Sequence, residues 1–173
     1  MFMKKVLLLF VSLLVGFTML HAQEPLSFEK VIKVDSVSKN DIYSKIKEHF
    51  ILKYKSTVFF KTDDRETGLL VKKEYFDFYK KGFFYTCYCG KISVLITIQV
   101  KDGRFKVQLS DFLHEPNGMC GLGIITTGDL VGGTINGKSF DNPVWKDLQE
   151  KAKIIGDNLL FEFENLKLKT DNW

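Results

Sequence analysis

The sequence predicts an α+β domain in which an antiparallel sheet carries two helices packed on one face, in the order β-α-β-β-β-β-α. Three observations predict it. Residues 91–101 and 105–110 alternate apolar and polar side chains around Asp102-Gly103, the pattern of a hairpin with one buried face. Val144, Leu148, Ala152, Ile155, Leu159, Phe163 and Leu166 recur every three or four residues, the pattern of a long amphipathic helix. Ile42, Ile46 and Phe50 repeat that spacing near the other end of the chain.

Leu26 to Val34 is short and rich in β-branched and aromatic residues, which suits a first strand. Ser38 then opens a helix, with Asp41 three places on to satisfy free backbone N–H groups and the positive end of the helix dipole. From Thr57 the period changes to two. Val58 to Lys61 reads as a short strand, Asp63 to Gly68 as a polar turn, and Leu69 to Tyr79 as the next strand. Between Lys91 and Lys101, Ile92, Val94, Ile96, Ile98 and Val100 point one way. Ser93, Thr97 and Gln99 point the other, with Leu95 the one apolar intruder. Phe105, Val107 and Leu109 continue the apolar face on the return strand, and Lys106, Gln108 and Ser110 the polar one. Seven of the 13 glycines fall between Gly118 and Gly137, an irregular stretch that holds a short strand at Ile124-Ile125-Thr126. Asn142 caps the last helix, Pro143 takes its first position, and Gly156 inside it costs about 1 kcal/mol against alanine.

Composition places the chain among globular proteins of one domain: 173 residues, 45% hydrophobic, 27% charged, 3 prolines. Residues 1–22 read as a secretory signal peptide. Lys4 and Lys5 form its positive head, Val6 to Leu20 its apolar run, and the cut falls between Ala22 and Gln23. The run is short for a bilayer span, and no second one follows, so no transmembrane anchor is expected after processing. Residues 23–173 are then the domain, in the periplasm or secreted. That compartment lacks ATP and nicotinamide pools and is oxidising, which argues against a cofactor-dependent enzyme. Two of the 25 Lys and Arg residues and none of the 21 acids lie in the first 22 residues, leaving 23 against 21. So small an excess excludes a dedicated nucleic-acid binder.

Three cysteines, Cys87, Cys89 and Cys120, allow at most one internal bridge and a free thiol. Cys87 and Cys89 share a strand face and cannot easily bond each other, so a bridge from either to Cys120 is the sterically easier one. Three buried thiols are the equal alternative.

The opening Phe28-Glu29-Lys30-Val31-Ile32-Lys33-Val34-Asp35, the hairpin Ile98 to Phe105, and Asp111-Phe112-Leu113-His114-Glu115 resemble a family of secreted proteins of Gram-negative gut anaerobes. That family is classed as a domain of unknown function with a TATA-box-binding-protein-like (TBP-like) fold. The likeness runs from about Leu26 to the C-terminus. It implies the fold, and it brings no catalytic or ligand residues. A DNA-binding saddle is not expected with it, because Ser93, Thr97, Gln99, Gln108 and Ser110 offer neither apolar wedges nor a basic surround.

Gly132 to Ser139 fits the phosphate-loop pattern G-x-x-x-x-G-K-S. Its mechanism needs a helix starting at the lysine and a parallel sheet behind it, and the sequence predicts neither. A metal site drawing on Cys87, Cys89, Cys120 and His114 lacks the paired spacing of zinc ligands, so no metal and no cofactor are expected. A small cell-envelope hydrolase or thiol enzyme using His114 and Cys120, with Asp111 beside them, is the alternative to a binding domain. Nothing in the sequence places Cys120 where a thiolate would be stabilised, and His114 with its neighbouring acid reads as a surface pair.

Eight rings fall within 14 residues: Tyr75, Phe76, Phe78, Tyr79, Phe83, Phe84, Tyr85 and Tyr88. Strand geometry splits them between two faces. Core and hairpin packing is the favoured reading, with an exposed patch for a protein, small-molecule or glycan partner of the cell envelope as the functional one. The expectation is an exported, non-enzymatic binding or interaction domain.

Overall fold

The computed structural model describes residues 23–54 and 59–166. The expected signal peptide and the Ala22 side of its cleavage site lie outside the described residues. The elements in chain order are β1 (Phe28–Lys33), α1 (Lys39–Tyr54), β2 (Thr62–Asp64), β3 (Leu69–Phe78), a 3-10 helix (Phe83–Tyr88), β4 (Gly90–Lys101), β5 (Arg104–Pro116), β6 (Gly123–Ile124) and α2 (Lys138–Glu164). The sheet is antiparallel with strand order β1-β5-β4-β3-β2, and β6 pairs with the far part of β5. β6 stands where a short strand was expected at Ile124-Ile125-Thr126, shifted to Gly123–Ile124, and makes the sheet six-stranded.

The core lies between the sheet and the two helices. Ile92, Val94, Ile96, Ile98 and Val100 of β4 and Phe105, Val107 and Leu109 of β5 are buried together with Ile42, Ile46 and Phe50 of α1 and Val144, Leu148, Ala152, Ile155, Leu159 and Phe163 of α2. Helix α1 starts as its sequence requires. Ser38 Oγ accepts from Asp41 N (3.2 Å) and donates to Asp41 Oδ2 (2.7 Å), while Asp102 of the β4–β5 turn accepts from Lys39 N (2.7 Å). Gly103 takes φ 70° in that turn, a conformation that favours glycine.

Several local expectations are corrected. The strand expected at 58–61 is replaced by β2 at Thr62–Asp64. Asp63, expected in a turn, faces α1, where Tyr43 Oη (2.5 Å) and Lys47 Nζ (2.6 Å) donate to it; Asp64 closes the turn by accepting from Glu66 N and Thr67 N. Strand β5 runs on through His114 because Asp111, at φ 52°, forms a bulge against β4 between Ser93 and Leu95. One extra residue reverses which side chains face inward, so the buried set changes from Phe105, Val107 and Leu109 to Phe112 and His114. Ser93 is buried rather than part of an open polar face, since its Oγ donates to Glu115 Oε1 (2.7 Å), which Lys73 Nζ also holds (2.6 Å).

Helix α2 begins at Lys138, five residues before Pro143, with Phe140 N and Asp141 N both donating to Gly137 O (3.1 Å). Asn142 is therefore not its cap. Gly156 is there for contact rather than tolerated at a cost, because a Cβ on it would meet the Phe28 ring at 2.4 Å. The core face of β3 also carries a pair that alternation alone would fill with apolar residues. Lys72 and Glu74 are buried there and form an ion pair, with Lys72 Nζ 5.6 Å from the centre of the Phe50 ring.

Candidate functional site

The end of the molecule formed by the 3-10 helix, residues 118–137 and the start of α2 brings together most of the side chains singled out in the sequence. Cys87 and Cys120 are disulfide-bonded across a separation of 33 residues, with Cα atoms 5.4 Å apart. Cys89 remains a free, half-buried thiol. Asn136 Nδ2 lies 3.1 Å from Cys120 Sγ and 3.3 Å from Cys87 Sγ, and donates to Tyr88 Oη (3.1 Å), which draws the glycine-rich loop onto the bridge.

Beneath this loop sits Asp141, fully buried. It accepts from Thr134 N (2.7 Å), Thr134 Oγ1 (2.7 Å) and Tyr88 Oη (2.6 Å). Burial pushes the Asp141 carboxyl up, but these hydrogen bonds outweigh it and hold the group below its ordinary range. Burial and the bond to Asp141 push the Tyr88 hydroxyl up. This geometry disposes of the phosphate-loop pattern for a different reason from the one expected. A helix does start at the lysine, correcting that part of the reading, but Asp141 occupies the loop's amide at Thr134 and would repel a phosphate. No parallel strand precedes the loop, since every strand pairing in the described sheet is antiparallel.

His114 is also not the surface residue the sequence implied. It is 3% exposed, with Nε2 donating to Tyr88 O (2.9 Å) and Nδ1 accepting from Leu122 N (3.3 Å). Burial lowers its pKa, partly offset by the bond to the Tyr88 carbonyl. Both ring nitrogens are thus committed to backbone groups. Cys120 is 3% exposed and bonded to Cys87, and Asp111 sits exposed on the bulge. With Cys120 bonded to Cys87 and both His114 ring nitrogens committed, these residues do not assemble the expected thiol-enzyme constellation. Among the described residues, no group of three or more His, Cys, Asp or Glu is placed to hold a metal ion.

The eight rings do not form one cluster. Phe78 and Tyr88 are buried, and Phe76 and Tyr85 pack against the core. Tyr75 points from the opposite face of β3, where Lys73 Nζ and Lys91 Nζ lie 5.2 and 5.8 Å from its ring centre. Tyr79, Phe83 and Phe84 are exposed at 72%, 89% and 70%. Phe83 and Phe84 contact each other edge to face, and Phe84 also touches Phe140 at the start of α2. Met119 and Ile135, on segments tied to the same disulfide, are as exposed as Phe83. Gln23, the residue after the expected cut, is joined to this region. Its Nε2 donates to Asp129 O (2.5 Å), and its Oε1 accepts from Thr126 Oγ1 (2.9 Å).

Sequence reasoning also missed a cleft of about 460 Å³ between α1 and α2, lined by Leu52, Phe161, His49 and Glu162. Glu162 accepts from His49 Nε2 and Lys53 Nζ, both at 2.6 Å. Burial raises its pKa, but these two partners prevail and lower it, so the carboxylate is already satisfied. The signal was present, a histidine and an acid on the two helices, but only their pairing makes it visible.

An antiparallel sheet with both helices packed on one face defines an α+β domain of the TBP-like class. A family model described as "Domain of unknown function (DUF4468) with TBP-like fold" matches residues 28–115, and the chain belongs to that family. Two solved structures share the fold. A DUF4468 family protein from Bacteroides ovatus is 14% identical, with a TM-score of 0.55 over 86% of this chain and 90% of that one. A TBP-like protein from Parabacteroides distasonis is 11% identical, with a TM-score of 0.53 over 83% of this chain and 95% of that one. None of the curated proteins matches the sequence. No described helix is long and apolar enough to cross a membrane.

Proposed function

We propose that the protein is an exported, non-enzymatic binding domain of the cell envelope, periplasmic or secreted, whose contact surface is the end carrying Phe83, Phe84, Met119 and Ile135. One observation carries the reading. These apolar side chains are almost fully exposed on segments tied down by a disulfide, a buried carboxylate and the Asn136 amide. Large apolar side chains displayed on an ordered surface bind with little further ordering cost, and such patches mark interaction sites. Burial of both His114 and Cys120 supports a binding role over a thiol enzyme.

Native mass spectrometry of the protein recovered from its own cell envelope tests this. The wild type is expected to begin at Gln23 and to carry a stoichiometric partner mass. A Phe83→Ser, Phe84→Ser double variant is expected to lose that mass while its urea midpoint shifts little, since exposed positions change stability by about 0.5 kcal/mol or less. A bare wild-type protein, or equal retention by the variant, sinks the binding surface. A chain still carrying residues 1–22 sinks the export.

A further inference from the structure

We propose that the open face of the sheet, away from both helices and from the aromatic end, binds a phosphate monoester bearing a small organic group through Lys33, Lys101 and Arg104. The register brings these three together. Lys33 of β1 pairs directly with Arg104 of β5, and Arg104 pairs directly with Lys101 of β4. Directly opposed residues in an antiparallel sheet stand about 4.5–5.5 Å apart between Cα atoms, so three cationic side chains rise side by side from adjacent strands. The neighbouring residue on β5, Phe105, is buried on the core side, which fixes Arg104 on the open side.

Like charges placed directly across a sheet are destabilising, and elsewhere on this face the cost is relieved by acids. Lys106 pairs with Glu29 (3.4 Å) and Lys73 with Glu115 (2.6 Å). Among the described residues, Lys33, Lys101 and Arg104 have no such partner. The nearby Asp102 carboxylate accepts from the backbone N–H of Lys39 and forms no ion pair with the row, so its single charge offsets the three cations only in part. The row therefore holds an unbalanced positive charge that an anion would neutralise.

A depression of about 250 Å³ lies beside this row, lined by Val31, Gln99, Lys101, Arg104, Phe105 and Lys106; Lys33, on the adjoining strand, is not part of its lining. It is smaller than the roughly 300–1,000 Å³ of pockets for drug-sized ligands, which fits a phosphate and a few further atoms. A phosphate monoester carries a charge near −2 at neutral pH, from a second pKa of about 6. It thus suits three cations better than a single carboxylate does, and the Arg104 fork can meet two of its oxygens at once. Val31, half exposed at 52%, supplies the apolar contact for the organic group, and Gln99 a neutral hydrogen-bonding one.

The test is a titration of the full chain in chloride buffer of constant ionic strength, followed by amide chemical shifts, with phenyl phosphate and with inorganic phosphate. Sedimentation with vesicles of phosphatidylcholine, with and without phosphatidic acid, runs in parallel. Saturable shifts with phenyl phosphate, confined to the paired ends of β1, β5 and β4, are expected. Binding only to phosphatidic acid vesicles would support the same site with a lipid headgroup as its ligand. A Lys33→Gln, Lys101→Gln, Arg104→Gln variant is expected to bind at least about tenfold more weakly, the loss that one charge-assisted hydrogen bond already implies. Its urea midpoint should be unchanged or higher, because the repulsion has gone. A Lys151→Gln control on α2 should bind as the wild type does. No saturable response to any of the three probes, or undiminished binding by the triple variant, overturns the proposal.

Discussion

The helix-covered sheet and the disulfide-bonded end of this molecule are held by different forces. In the first, Ile96, Ile98, Phe105, Val107, Leu109 and Phe112 are at most 1% exposed, and order comes from apolar burial spread over many residues. At the other end, residues 118–137 bury Cys120, Leu122 and Ile125 but leave Met119, Val131 and Ile135 in water. Order there comes from a few discrete ties: the Cys87–Cys120 bond, the Asp141 clamp, and Trp145 and Gln149 of α2 donating to the carbonyls of Gly128 and Thr126. Distributed burial resists any single change. Discrete ties do not, but they let a surface display apolar groups that burial would consume.

The largest effect that separates the two regions is expected on breaking the bridge. Closing a loop of 33 residues is worth about 3–4 kcal/mol by chain entropy, so a Cys87→Ser, Cys120→Ser variant should lose about that much in urea unfolding. Amide exchange should accelerate first in residues 118–137 while β4 stays the most protected. Equal loss of protection in β3, β4 and β5 would break the distinction.

A smaller effect, of surprising sign, probes the packed region. Alanine at 156 gains about 1 kcal/mol of helix propensity, yet its methyl group would collide with the Phe28 ring, itself in edge contact with Phe112. Overpacking costs about 1–3 kcal/mol, so Gly156→Ala should be destabilising by about 1 kcal/mol net in urea unfolding. A gain in stability would show that this ring moves freely and that the packing is looser than the core around it.

The smallest effect lies where the regions meet, at His114. Its folded-state pKa is below the ordinary 6.5, so as pH falls the unfolded chain takes up the proton first. Stability is therefore whole above 6.5 and declines as pH drops from 6.5 to the folded-state value. The slope cannot exceed about 1.4 kcal/mol per pH unit. The carboxylates held low, Asp63, Asp141, Glu115 and Glu162, begin to add their own loss only once pH falls to their ordinary values of 3.8 and 4.5, and go on losing it below them. Urea midpoints measured from pH 7.5 to 5 should fall in the wild type and flatten in His114→Gln. An unchanged slope in the variant would remove His114 as its source.

The hairpin, the alternation along β4 and the face of α2 were legible because each is written in residues close along the chain. Ile42, Ile46 and Phe50 announce the buried side of α1 in the same way. The start of α2 was misread because Asn142-Pro143 is a strong local signal, and the contact that overrides it, Asp141 closing on Thr134, depends on Tyr88 from another element. His114 was misread for a related cause. A single bulge residue, Asp111, shifted the alternation by one and turned the ring from water to core. Of the eight aromatic residues, the sequence foretold that they would divide between faces. It could not say that Phe83 and Phe84 would fall on a 3-10 helix with both rings exposed.

By itself, then, the sequence determined the periodic elements and their apolar faces, because hydrophobic periodicity and turn chemistry act between near neighbours. Tertiary structure alone decided the Cys87–Cys120 pairing, the contact of Phe28 with Gly156, the Asp141 clamp and the row of Lys33, Arg104 and Lys101 across three strands. Each of these joins segments distant along the chain, and their register is fixed only when the apolar faces of sheet and helices are buried together.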